Sequence, residues 1–70
     1  MEIIRVESSN LEAVGYAIDE AKLEIDFKDG SAYEYYDVPQ HVYDELMAAD
    51  SKGKYAHRNI YKVYGQHRIR

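Results

Sequence analysis

The sequence Gly30-Ser-Ala-Tyr-Glu-Tyr-Tyr-Asp-Val-Pro39 combines a glycine, a tyrosine-rich run and a proline. Glycine reaches the left-handed backbone conformations that tight turns require. Proline suits the first turn of a helix, and it pushes the residue before it, Val38, into an extended conformation. We therefore expect this stretch to begin at a hairpin turn, to continue as a strand and to end where the helical part of the chain begins.

The length of the hairpin turn determines which side of the sheet the tyrosines occupy. Residues 23–28 alternate apolar and charged side chains, which predicts a half-buried strand just before the turn. A two-residue turn would place Tyr33 and Tyr35 on the polar face of that strand. A three-residue turn would instead pair them with Ile25 and Leu23 on the apolar face. We favour the three-residue turn because two tyrosine rings enlarge a core that is short of aliphatic side chains.

The residues before this hairpin predict two more strands. Residues 3–6 indicate a short first strand, and bulky side chains at period two over residues 14–18 indicate a second. Ser8-Ser9-Asn10 lies between them and is typical of a turn. Gly15 inside the second strand indicates a bulge or a place where another segment packs closely.

The residues after Pro39 predict two helices. An apolar stripe at i,i+4 spacing predicts the first over about residues 39–49, and the second is expected from about 55 to 64, with Gly65 as its C-terminal stop. Residues 66–70 form either a loose tail or a short edge strand. The order of strands before helices favours the α+β class, here a small antiparallel meander of three to four strands followed by two short helices packed on one face.

Length and composition narrow the class of protein. Seventy residues make one domain, so we expect residues 1–70 to form a single unit. The chain has no cysteine, which excludes disulfides and thiolate metal sites. Its first residues lack the apolar run of a signal peptide, and no stretch approaches the roughly 18 apolar residues of a membrane span. We therefore expect a cytoplasmic protein without a membrane partner.

The charge of the chain is unevenly distributed. Residues 1–50 hold all 13 acidic residues, whereas residues 51–70 hold six of the nine basic residues and no acid. Such an asymmetry suggests a partner for the basic part. The alternative is that the basic C-terminal part packs against the acidic sheet of its own chain, and the sequence leaves both interpretations open.

Short segments along the chain match a known family in order and spacing. They are Ser8-Ser9, Val14-Gly15-Tyr16, Leu23-Glu24-Ile25-Asp26-Phe27, Gly30, Tyr33-Glu34-Tyr35, Val38-Pro39, Tyr43, Ala49, Ser51-Lys52-Gly53-Lys54-Tyr55 and Asn59-Ile60. These segments resemble the KTSC domain, a family named for the C-terminus of certain lysyl-tRNA synthetases and marked by a Tyr-x-Tyr motif. The resemblance covers about residues 6–69, and the aromatic motif is Tyr33 and Tyr35.

The resemblance implies a single KTSC-like domain over residues 1–70. It implies no catalytic residues, because none is established for the family, and it implies RNA binding only as a suggestion drawn from the attachment to a synthetase. The chain departs from the family pattern at Ala56, where a larger aromatic residue is common. That departure weakens the expectation of an aromatic platform at this position.

The first candidate site is Ser51-Lys52-Gly53-Lys54, just before the second predicted helix. Helix N-terminal amides, a glycine that permits a tight turn and two ammonium groups suit a phosphate. The stretch is not a P-loop, because the Gly-x-x-x-x-Gly-Lys spacing is missing. Serine capping and glycine turning between two helices is the alternative explanation.

The second candidate site is a basic face of the second predicted helix. Cationic side chains neutralise phosphates and aromatic rings stack on unpaired bases, and both types are interleaved here. The nucleic-acid-binding candidates are Lys52, Gly53, Lys54, Tyr55, Arg58, Tyr61 and Lys62. Tyr33 and Tyr35 would form an aromatic platform only if they were exposed on the sheet, and the favoured register makes them mainly core residues.

The sequence carries no catalytic or metal-binding signature. His41, His57 and His67 are scattered, so we expect no metal site and no cofactor. A ribonuclease would need a general acid and base near a cation, and His57 beside Arg58 is the one local candidate. We therefore expect a non-catalytic accessory module that binds RNA or another phosphate-bearing ligand through its basic C-terminal helix region. The alternative is a protein-interaction module that docks an acidic protein or self-associates.

Overall fold

The computed structural model describes residues 1–70 as a five-stranded antiparallel sheet with two helices. The strands are β1 (Glu2–Arg5), β2 (Leu11–Ala17), β3 (Lys22–Phe27), β4 (Ala32–Tyr35) and β5 (Gln66–Arg68). The helices are α1 (Gln40–Ala48) and α2 (Lys52–Asn59), and a 3-10 turn, Ile18–Glu20, joins β2 to β3. The strands lie in chain order across the sheet, with β5 returning after the helices to pair with β4. The α+β class is confirmed.

The β3–β4 hairpin has the three-residue turn. Ile25 lies opposite Tyr33 and Leu23 lies opposite Tyr35 in the sheet. The Phe27 amide donates to the Ser31 carbonyl oxygen at 2.8 Å. Gly30 has a φ of 95°, a conformation that glycine adopts without steric cost. The predicted register is therefore confirmed, and it turns both tyrosines toward the helices.

The core lies between the sheet and the two helices. Its buried members are Leu11, Val14, Leu23, Ile25, Tyr35, Val38, Val42, Leu46, Ala56 and Ile60. Burying one Val, Leu or Ile side chain contributes about 1.5–3 kcal/mol. Tyr16 attaches the sheet to the helical part, because its hydroxyl donates to the Val38 carbonyl oxygen at 2.6 Å and its ring stacks on Tyr43.

The second strand starts earlier than its period-two pattern indicates. Leu11, at its first position, is fully buried, whereas Ile18 lies in the 3-10 turn and is 60% exposed. Gly15 lies on the face of the sheet opposite the helices. A Cβ atom there would contact the Ile3 side chain and lie 2.8 Å from the Met1 sulfur. Close packing of β1 on β2 explains this glycine.

The second helix is displaced from the predicted range of residues 55–64. It begins at Lys52 because the Ser51 hydroxyl caps it, accepting from the Lys54 amide at 3.3 Å. It ends at Asn59, and the chain then forms turns before β5. Gly65 is therefore not a helix stop; its carbonyl oxygen accepts from the Tyr36 amide at 2.9 Å beside the sheet.

Residues 66–68 form the edge strand that the sequence allowed as one of two alternatives. Neither helix has the length and apolar character needed to cross a membrane.

Candidate nucleic-acid interface

A polar cavity of about 450 Å³ opens at the N-terminal end of α2. We call it the polar cavity. It is lined by Ser9, Asn10, Ser51, Gly53, Lys54, His57 and Arg58. The lining includes no hydrophobic residue and no carboxylate, so its charged groups, Lys54 and Arg58, are both cationic.

The turn between β1 and β2 forms one wall of the polar cavity. The Ser8 hydroxyl accepts from the Leu11 amide at 3.2 Å, and the Asn10 carbonyl oxygen accepts from the Lys28 amide at 2.9 Å. These bonds hold the turn against the neighbouring hairpin. A Cβ atom on Gly53 would lie 2.8 Å from the Asn10 side-chain oxygen. Glycine at position 53 therefore lets the turn and the helix approach each other closely.

Helix α2 forms the opposite wall. Lys54, His57 and Arg58 are spaced i, i+3 and i+4, so they project from one side of the helix. All three are exposed, and neither Lys54 nor Arg58 takes part in a salt bridge. The N-terminal end of a helix also carries partial positive charge. This wall therefore presents Lys54 and Arg58 without a salt-bridge partner in the chain.

A second, mainly aromatic cavity of about 250 Å³ is linked to the first by the edge-on contact of the His57 and Tyr61 rings, and we call it the aromatic cleft. It is lined by Phe27, Tyr33, Tyr35, Tyr61, Lys62 and Gln66. The Tyr35 ring stacks on Tyr61 with centroids 6.2 Å apart, and the Phe27 ring meets Tyr33 edge-on at 6.0 Å. These separations are typical of favourable aromatic pairs. The rings therefore hold one another in place.

Two tyrosines of the cleft have raised pKa values, and the hydroxyl of one of them has no hydrogen-bond partner within the protein. Burial raises the pKa of Tyr35 and that of Tyr61. The Tyr61 hydroxyl is buried and has no hydrogen-bond partner within the protein. Buried polar groups are nearly always hydrogen-bonded. The unpaired Tyr61 hydroxyl therefore distinguishes the cleft from an ordinary surface depression.

The structure brings some of the sequence-predicted residues together and separates others. Gly53, Lys54 and Arg58 line the polar cavity, and Tyr61 and Lys62 line the aromatic cleft. The prediction that Arg58 and Lys62 share one helix face is wrong, because Lys62 follows the end of α2. The aromatic motif, Tyr33 and Tyr35, faces the helices and forms one wall of the cleft.

Lys52 and Tyr55 line neither cavity. The Lys52 ammonium donates to the Ala49 carbonyl oxygen at 3.1 Å, at the end of α1. The Tyr55 hydroxyl donates to Glu45 at 2.7 Å, and burial together with this bond raises the pKa of Tyr55 to about 12. Both side chains connect α2 to α1.

Five lining residues were not among the predicted site residues. Ser9, Asn10 and His57 belong to the polar cavity, and Phe27 and Gln66 belong to the aromatic cleft. The i+3 spacing of His57 from Lys54 was a usable signal. The two turn residues had none, because their place depends on a contact between distant parts of the chain.

Two acidic residues at the middle of the sheet point away from the helices. Glu24 and Glu34 lie opposite each other in β3 and β4, on the face that alternates with Ile25 and Tyr33 and so points away from the helices. Arg70 lies 3.8 Å from Asp26 and is the one basic residue after position 50 that forms a salt bridge. Packing of the basic part on the acidic sheet therefore accounts for Arg70 and not for Lys54 or Arg58.

The comparisons with a family model and with solved structures identify the same family. The KTSC domain model matches residues 7–64. A protein of Tsukamurella paurometabola is 48% identical over 50 residues, which are 71% of this chain and 75% of that protein. The crystal structure of a KTSC domain protein from Yersinia pestis superimposes with a TM-score of 0.93 at 31% identity, over 99% of this chain and 97% of the other.

A longer relative contains a similar segment. A lysine–tRNA ligase of Nostoc is 40% identical over 58 residues, which are 83% of this chain. The matching segment makes up 10% of the ligase, so the similarity concerns a small part of that enzyme.

Proposed function

We propose that this chain, which belongs to the KTSC domain family, is a non-catalytic RNA-binding module that holds a backbone phosphate in the polar cavity. The observation that carries the proposal is the pair Lys54 and Arg58, which face a cavity without carboxylates and have no salt-bridge partner. Contacts from lysine and arginine to phosphate supply most of the sequence-independent affinity for nucleic acids.

The remaining lining groups suit the same ligand. The hydroxyl of Ser9 and the amide of Asn10 supply neutral donors opposite the cationic side chains. The N-terminal end of α2 favours an anion at this place. A phosphate in the polar cavity would therefore receive donors from two walls built by separate parts of the chain.

RNA is favoured over DNA by the relatives. The Nostoc ligase, whose name specifies tRNA, contains a segment similar to this chain. A cytoplasmic location, which the sequence led us to expect, is part of the same proposal. The net charge of −4 opposes general coating of nucleic acid, so we expect modest affinity that depends on the local cavity.

The proposal assigns binding and not cleavage. Cleavage of RNA by proton transfer requires a general acid and a general base near the phosphate. His57 is the single histidine that lines the polar cavity, and no carboxylate lines it, so the cavity lacks a pair of such groups. We assign it to phosphate binding.

A second candidate function is docking of an acidic protein or of a second copy of the chain. It is favoured by the open face of the sheet, where three acidic residues, Glu24, Asp26 and Glu34, outnumber their two basic partners, Lys22 and Arg70. A basic cavity on one molecule and an acidic sheet face on another are complementary in charge.

Fluorescence anisotropy with a labelled single-stranded RNA across a salt series tests the RNA-binding proposal. We expect affinity to fall with salt at a slope of about −0.7 per phosphate contact and to fall strongly in Arg58→Glu. Arg5→Glu is the matched control, because it makes the same arginine-to-glutamate change at an exposed residue of β1 that lines neither cavity. Equal losses in both variants, or no binding at low salt, would reject the proposal, and a rise in sedimentation mass would favour self-association.

A further inference from the structure

We propose that the aromatic cleft is a nucleobase pocket, which receives one unpaired base of the RNA whose phosphate occupies the polar cavity. This inference rests on the proposed function, and it adds the class of nucleotide that the site accepts. It concerns residues on β3, β4 and the segment after α2, none of which lines the polar cavity.

The position of the cleft supports one continuous ligand. His57 lines the polar cavity and Tyr61 lines the aromatic cleft, and their rings meet edge-on with centroids 6.3 Å apart. The two cavities therefore adjoin at this pair of rings. A ligand that joins an anionic group to a planar aromatic group through a short linker matches them both, and a nucleotide has this composition.

The walls of the cleft suit a flat aromatic ring. Four aromatic side chains line it, and the register of β3 with β4 fixes two of them, Tyr33 and Tyr35. Stacking of a base on such rings tolerates different bases because every base has a π-face. The volume of about 250 Å³ lies below the roughly 300–1,000 Å³ typical of pockets for drug-sized ligands. It therefore fits a single ring system better than a larger molecule.

The polar groups of the cleft distinguish a base from an apolar side chain or a lipid. The Tyr61 hydroxyl is buried without a partner, and a base edge supplies the ring nitrogens and carbonyl oxygens that a hydroxyl can donate to. Gln66 adds an amide with donors and an acceptor, and Lys62 adds a cation for the neighbouring phosphate. A purely apolar occupant would leave the buried Tyr61 hydroxyl without a partner.

A base in the cleft must be unpaired. Bases within a duplex are stacked and cannot be splayed out onto protein rings without cost, whereas those of loops and single strands can. The site is therefore expected to select single-stranded RNA or hairpin loops over a perfect duplex of the same sequence.

An abasic substitution in the RNA separates this inference from the proposed function. The probe is a short labelled single-stranded RNA, compared with the same RNA carrying abasic sites in place of its bases. We expect the abasic RNA to bind about ten-fold more weakly, because one base–aromatic stack contributes about that factor to affinity. Equal affinity of the two RNAs would overturn the base pocket and leave phosphate binding intact, whereas no binding of either would overturn both.

Variants of the chain locate the effect. Tyr61→Phe keeps the ring and removes the hydroxyl, and it should lower affinity for the intact RNA several-fold without changing affinity for the abasic RNA. Tyr64→Phe is the matched control, because it removes a tyrosine hydroxyl that does not line the cleft. Gln66→Ala, at an exposed position, tests the rim without disturbing the core. If Tyr61→Phe and Gln66→Ala both bind intact RNA as the parent does, the cleft does not hold a base.

Discussion

The ring of His57 meets the ring of Tyr61 edge-on, with centroids 6.3 Å apart, where the polar cavity adjoins the aromatic cleft. His57 is exposed, whereas Tyr61 is half-buried and packs against the core. The pair therefore connects a surface that can bind a charged group to rings whose positions depend on the sheet. The structure leads to four measurable predictions about stability and RNA binding, and each prediction depends on different contacts.

Replacing His57 by Phe should distinguish the contribution of its ring packing to stability from the contribution of its ring nitrogens to RNA binding. The variant retains an aromatic ring against Tyr61, so we expect its thermal midpoint to stay close to that of the parent protein. The polar cavity loses a ring N–H donor, so affinity for single-stranded RNA should fall several-fold. Calorimetry and anisotropy on the same samples check both expectations, and unchanged RNA affinity would remove His57 from the site.

Gly53→Ala should change binding more than stability. Alanine is favoured over glycine in a helix by about 1 kcal/mol, which offsets the cost of moving Asn10, whose side-chain oxygen lies 2.8 Å from the new Cβ. Displacing Asn10 removes a donor from the polar cavity, so RNA affinity should fall.

The double variant Gly53→Ala/Asn10→Ala provides the control for that mechanism. If the loss in Gly53→Ala acts through Asn10, the double variant should bind RNA no more weakly than Asn10→Ala alone. Additive losses would mean that the glycine affects the site by another route.

Gly15→Ala should destabilise the sheet. The new Cβ would contact Ile3 and approach the Met1 sulfur to 2.8 Å. Both side chains are exposed and flexible and can shift, so we expect a loss below the roughly 1–3 kcal/mol that overpacking of a buried core costs. Urea denaturation should show a lower midpoint with an unchanged slope. Combining the change with Ile3→Ala should restore part of the loss, and failure of that rescue would contradict the packing explanation.

Stability should fall between mildly acidic and neutral pH because of Glu24. A hydrogen bond with Asp26, burial, and the negative charges of Asp26 and Glu34 raise the pKa of Glu24 from 4.5 to about 7, and Arg70 opposes that shift. Between pH 4.5 and pH 7, the folded state therefore binds more protons than the unfolded state. The resulting stability is fully present below pH 4.5 and is lost as pH rises through 7, by on the order of 1 kcal/mol.

Denaturation at pH 5 and pH 8 measures this effect. Glu24→Gln should abolish most of the difference, because the amide does not titrate. The opposite behaviour is expected of Asp29, whose pKa is lowered by hydrogen bonds from Ser31. Its contribution is present above the ordinary aspartate value and is lost as pH falls through the lowered pKa. A flat profile in the parent protein between pH 5 and pH 8 would contradict the role of Glu24.

Local pattern predicted the sheet better than the site. The hairpin register followed from the alternation over residues 23–28 and from a core that needed Tyr33 and Tyr35, and both constraints act between neighbouring strands. The start of α2 was misplaced because Lys52-Gly53-Lys54 reads as a break, whereas the cap at Ser51 overrides the low helix propensity of glycine. The exposed residues 66–68 carry no periodic signal, so their pairing with β4 could not be decided.

The cationic half of the site was partly predictable and its neutral half was not. Charge asymmetry identified Lys54 and Arg58, because net charge is readable without a fold. The contribution of Asn10 depends on a close approach between the β1–β2 turn and Gly53, which only the assembled sheet and helices determine. The aromatic cleft likewise arises where Tyr61, after α2, meets Tyr35 on β4.

An NMR titration of the ¹⁵N-labelled protein with a short single-stranded RNA tests phosphate binding in the polar cavity most directly. We predict the largest amide shift changes at Ser9, Asn10, Lys54 and Arg58, with changes at Tyr61 when the RNA carries its bases. Amides of the open sheet face, such as that of Glu24, should not move. Shift changes concentrated on that face, or no changes at low salt, would contradict the assignment of the polar cavity as an RNA-binding site.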